Sequence, residues 1–98
     1  MITEVNISKK FELIDEYWTP KIIGELNGQF VKLAKIKDEL IWHSHQAKVG
    51  EILIIPKTVE HRPRTNGEEV WIMLIEPKDT KHTGDIEHKK TVKNFEWI

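Results

Sequence analysis

Lys21-Ile22-Ile23-Gly24-Glu25-Leu26-Asn27-Gly28-Gln29-Phe30-Val31-Lys32-Leu33-Ala34-Lys35-Ile36-Lys37 is the stretch on which the fold turns. Two runs rich in isoleucine, leucine and valine flank Asn27-Gly28, and a type I′ turn needs φ > 0 at both central residues, which Asn and Gly tolerate best. The pattern predicts an antiparallel hairpin of strands over 21–26 and 29–37. Upstream, Trp18-Thr19-Pro20 breaks any helix, because the residue before proline is pushed to extended backbone and proline lacks an N–H. Residues 6–14 read as an irregular lead-in with a helical turn, Ser8 standing where an N-cap would and Phe11, Leu13 and Ile14 supplying apolar surface.

Downstream, Asp38-Glu39 looks like the next turn, and residues 40–45 give a third strand. After a polar link, Glu51-Ile52-Leu53-Ile54-Ile55 is a continuous apolar run, the pattern of a strand buried on both faces or crossing a barrel wall, ended by Pro56. A loop over 57–63 and the turn Asn66-Gly67 lead to 70–75, a second uninterrupted apolar strand ended by Pro77. Residues 78–90 are charged and turn-rich, and Val92, Phe95, Trp97 and Ile98 form an apolar ending expected to fold back on the body. The pattern is all-β, with no internal repeat or low-complexity tract.

A length of 98 residues fits one domain, 1–98, with one small core. Hydrophobic residues make up 39% and charged residues 32%, enough for a fold with a thin margin. With 15 basic and 16 acidic residues the net charge is -1, and no single-sign block is present to neutralise phosphates or an anionic surface. Nucleic acid and membrane partners are therefore not expected. There are no cysteines, so any metal must be held by nitrogen and oxygen ligands. The first residues have no basic, apolar leader pattern, and 70–75 is far too short to span a bilayer, so a cytoplasmic location is expected.

Ile41-Trp42-His43-Ser44-His45 holds the candidate chemistry, with a third histidine, His61, sixteen residues on. On a strand, alternate side chains share a face, so His43 and His45 project together while Trp42 and Ser44 project the other way. Their Cα atoms stand about 6.6 Å apart, close enough for both rings to reach one ion at roughly 2.0 to 2.2 Å. His82 and His88 lie in the charged stretch and read as solvated surface. Trp18, Trp71 and Trp97 read as core or interface anchors.

These residues resemble the cupin superfamily, specifically its small single-domain members often labelled mannose-6-phosphate isomerase-like. His43-Ser44-His45 matches the His-x-His of the family's first motif. Gly50, Pro56 and His61 match the second motif, Gly-x5-Pro-x-Gly-x2-His, with Thr58 in the glycine place. The flanks are similar too: Tyr17-Trp18-Thr19-Pro20 before the site, and Glu60-His61-Arg62-Pro63 and Leu74-Ile75-Glu76-Pro77 after it. After His45 the chain passes directly into the second motif, so the family's glutamate ligand and the following hairpin have no counterpart, and Glu51 is not a replacement. The resemblance implies a small cupin-type jelly-roll β-barrel truncated by loss of a central hairpin, with His43, His45 and His61 as metal ligands.

Three imidazoles suffice for zinc, nickel, iron or copper, while losing the carboxylate disfavours manganese. The function expected is a small-molecule or metal binding module. The alternative is a metal-dependent isomerase or dioxygenase acting on a sugar phosphate or small oxygen-rich substrate, with Glu60 or Arg62 as polar helpers and catalytic residues otherwise unknown. A barrel short of a hairpin would expose strand edges, so a homodimer is expected, with the hairpin around Asn27-Gly28 or the lead-in through Tyr17 and Trp18 exchanged into the partner's sheet. A monomer whose C-terminal stretch covers the gap is the alternative.

Overall fold

The computed structural model describes residues 2–37, 50–57, 65, 67–78 and 95–98. Along the chain these form α1 (Ile7–Glu12), β1 (Lys21–Leu26), β2 (Gln29–Ile36), β3 (Val70–Pro77) and β4 (Glu96–Trp97). The strands make one sheet in the order β3-β2-β1-β4. β2 pairs antiparallel with β1 and β3, and β4 joins β1 in parallel. The fold is thus predominantly β, as the pattern predicts, and the sheet among the described residues is open rather than closed. No helix among them is long and apolar enough to cross a membrane.

The hairpin forms where its turn chemistry requires. Asn27 and Gly28 take φ of 49° and 79°, and Leu26 pairs with Gln29 directly across the turn. Between Ile22 and Gly24 the register slips by one residue, so Ile23 is an inserted bulge residue in β1 and packs with the core beside Leu33. From this register the two faces follow. Lys21, Leu33 and Met73 share one face, while Ile22, Lys32 and Leu74 share the other.

The helix covers the first face. Phe11 and Ile14 bury against Leu33, with Ile23 and Ile98 packed around them, and the Phe11 ring stacks on Trp71 at 4.8 Å. The N-cap of α1 is Asn6 rather than Ser8, because Asn6 holds extended backbone (φ -85°, ψ 106°) and its side-chain oxygen accepts the Lys9 N–H at 3.0 Å. Ser8 instead lies inside the first turn. The helix closes when the Leu13 and Ile14 N–H groups donate to Lys10 and Phe11, a tightened last turn.

Trp18, at φ 60°, marks the break ahead of Pro20 and donates its N–H to the Lys35 carbonyl at 2.9 Å, while Tyr17 bridges Lys35 in parallel. The lead-in and the hairpin are therefore both occupied within the chain's own sheet. The apolar ending does fold back: β4 pairs Glu96 with Lys21 and Trp97 with Ile22.

The strand expected at 51–55 does not form, and Ile52, Leu53 and Ile54 are 78%, 63% and 86% exposed. A run apolar on every position stays dry only if both faces are covered, and here neither is. The expected strand at 70–75 does form as β3, two residues longer, with Pro77 at its end where a missing N–H is tolerated.

Leu33→Ala should lower stability by about 2 to 5 kcal/mol, because it empties the centre of the packed cluster. Leu26→Ala, at an exposed strand end, should change it by about 0.5 kcal/mol or less. Urea unfolding of the two variants checks the contrast, and equal midpoints would show that the cluster is not where stability resides.

Candidate functional site

His43, His45 and His61 lie outside the described residues, as do Trp42, Glu60, Arg62, His82 and His88. What the structure describes is the sheet at the two ends of the segment that carries the three histidines. β2 ends at Ile36 and β3 begins at Val70, and these two residues are direct partners across the sheet. The segment carrying the three histidines thus joins two residues that are direct neighbours across the sheet. Among the described residues no group of three or more histidines and carboxylates is arranged to hold a metal, and Glu51 is exposed.

The two ends of that segment are clamped. The Trp18 indole N–H donates to the Lys37 carbonyl at 3.2 Å, just past the end of β2. On the returning side, Glu69 accepts the Tyr17 hydroxyl at 2.6 Å through one oxygen and the Trp71 indole N–H through the other. The Lys35 ammonium sits 4.8 Å above the Trp71 ring. The Tyr17 hydrogen bond, followed by that from Trp71, holds the Glu69 carboxyl below its ordinary range, and the same Glu69 contact pushes the Tyr17 phenol up. Tyr17 and Trp18, adjacent in sequence, therefore pin both ends of the segment.

Two buried lysines stand on opposite faces of adjacent strands. Lys21 reaches Glu16 at 3.0 Å and Glu96 at 2.9 Å, and its ammonium is held above the usual range chiefly by the Glu96 hydrogen bond. Lys32, in the middle of the central strand, is fully buried and has no hydrogen-bond acceptor among the described residues. Its Nζ lies 3.8 Å from the Phe95 ring centroid and 3.9 Å from a Glu76 oxygen. Burial lowers its pKa and the Glu76 charge only partly opposes this. Sequence reasoning did not single Lys32 out. The signal was present, since Phe30, Lys32, Ala34 and Ile36 share a face on which the other three are apolar.

Chemically, Lys32 is the group in the described sheet whose environment favours a neutral amine. Because the folded pKa lies below the unfolded one, the charged lysine destabilises the fold at neutral pH, and stability rises as pH climbs from the folded value towards the unfolded one, near 10.4. Lys32→Met should remove this penalty, raising stability on the order of 1 kcal/mol at about pH 7, and should flatten the alkaline rise. Urea midpoints of wild type and variant between about pH 7 and about pH 10 test this, with Tyr17 common to both. Parallel profiles would refute it. In comparisons with known proteins, the chain matches no family model, no curated protein and no solved structure.

Proposed function

We propose that this chain is a cupin-like binding module, a shortened jelly-roll barrel in which His43, His45 and His61 hold a divalent metal ion. The observation that carries the reading is the pairing of Ile36 with Val70. The histidine-bearing segment is tied at both ends to one end of the sheet, an arrangement compatible with ligands separated in sequence converging on one ion. The motif spacing supports the same reading, through His43-x-His45 and through Gly50, Pro56 and His61.

Three neutral imidazoles suit zinc, nickel, iron or copper, with water completing the shell, and they suit manganese less because no carboxylate joins them. The metal supplies a Lewis-acidic centre for oxygen ligands of a small molecule. Catalysis asks for more, a closed cavity and a full set of ligands, so binding is preferred over isomerase or dioxygenase chemistry with Glu60 and Arg62 as helpers.

Metal analysis of untagged protein should find a bound divalent ion. His45→Ala should weaken its binding roughly 10- to 100-fold or more, and wild-type affinity should fall below about pH 6.5 as imidazoles protonate. Equal metal content in wild type and variant would reject the site. A thermal-shift screen with sugar phosphates and small organic acids then identifies the ligand class, and any shift through the metal should vanish in His45→Ala.

A further inference from the structure

β3 lies at the end of the strand order, and the pairing of Gln29 to Ile36 uses its inner edge along its whole length. Among the described residues, no strand pairs with its outer edge. Edge strands are ordinarily blunted by lysines, bulges or a mid-strand proline, but Val-Trp-Ile-Met-Leu-Ile-Glu-Pro has no lysine, and its proline comes only at the end. Trp71, Met73 and Ile75 alternate along one face and are 48%, 45% and 56% exposed.

We propose that this edge is the seam of a two-fold dimer in which β3 pairs antiparallel with β3 of a second copy, centred on Met73. The strand's own sequence selects both the occupant and the register. Antiparallel pairing about a two-fold axis normal to the sheet sets residues of the same face opposite each other, so the axis runs midway between a residue and its own copy. Centred on Ile72, Glu68 would face Glu76 of the other copy. Centred on Leu74, Ile72 would face Glu76 and Val70 would face Lys78. Centred on Met73, Trp71 faces Ile75, Ile72 faces Leu74 and Met73 meets itself, with Val70 opposite Glu76 and Glu69 opposite Pro77 as mismatches, and Glu68, two residues before the strand, comes opposite Lys78, one residue after it. One pair of opposite charges then stands at each end of an apolar seam, by symmetry.

This seam differs from an exchange of the hairpin or the lead-in, both of which serve the chain's own sheet. It also stands apart from the metal site, since no histidine takes part. Two copies joined this way form one continuous sheet, with the Trp71 and Ile75 side chains of opposite copies covering each other.

Sedimentation equilibrium of the full chain should show a dimer, and Glu68→Lys should weaken it roughly tenfold by setting like charges opposite each other. Adding Lys78→Glu to that variant should restore the affinity, although it also removes the 3.1 Å Lys78–Glu25 pair within each copy. Because the chain has no cysteine, Met73→Cys places one thiol per copy beside the axis. A short bis-maleimide should link it to a covalent dimer, while Leu26→Cys, exposed but off the axis, should not link. Circular dichroism confirms that each variant is folded. A wild-type monomer at every concentration would overturn the proposal, with the edge then left to the chain itself or to another partner. A dimer indifferent to Glu68→Lys, or one that Met73→Cys does not link, would overturn it equally, because it would use a different surface.

Discussion

Two backbone angles hold the described sheet in register. With Asn27 and Gly28 at positive φ, the turn between β1 and β2 is two residues long, and Leu26 is bound to face Gln29. Every later pair inherits that alignment, apart from the single slip at Ile23. A one-residue shift would send Leu33 away from Phe11 and Ile14 and would turn the Lys32 ammonium towards the helix. A turn in the left-handed region thus decides which residues of the central strand form the core.

β2 is buried on both sides, and its faces solve that burial differently. Leu33 meets an apolar cluster capped by a short helix. Lys32 meets a ring and a carboxylate at 3.8 and 3.9 Å, contacts that shield the charge without fully satisfying it. Lys21, on the neighbouring strand, has two carboxylates within hydrogen-bond distance and gains from them. One residue type thus has opposite electrostatic consequences on adjacent strands one register step apart, and geometry alone separates them.

The hairpin was legible because its turn has a stereochemical requirement that few dipeptides meet, and β3 was legible because a long apolar run between turn signals leaves few alternatives. The run at 51–55 carries the same local signal as β3, yet it forms no strand. Pairing depends on which edge the segment is brought against in the fold, and no local pattern encodes that. The cap at Asn6 was misplaced by two residues because asparagine and serine both suit that role, and backbone geometry chose between them. Of the candidate site, the spacing of His43, His45 and His61 was readable, whereas the joining of the segment's two ends through Ile36 and Val70 is a tertiary fact. The clamp by Tyr17, Trp18 and Glu69 was equally hidden, since it joins residues some fifty positions apart.

β4 sets an order of events. The β1–β2 hairpin closes a two-residue loop and needs nothing else to begin forming. The contact between Lys21 and Glu96 spans 75 positions, and a parallel two-residue strand gives little in return for closing so large a loop. Such a strand is expected to join the sheet late in folding and to be among the first parts to leave it. Its departure would uncover Ile98 from the Phe11 cluster and draw the Phe95 ring away from the Lys32 ammonium, so the burial of that charge is completed by the least firmly held strand of the sheet.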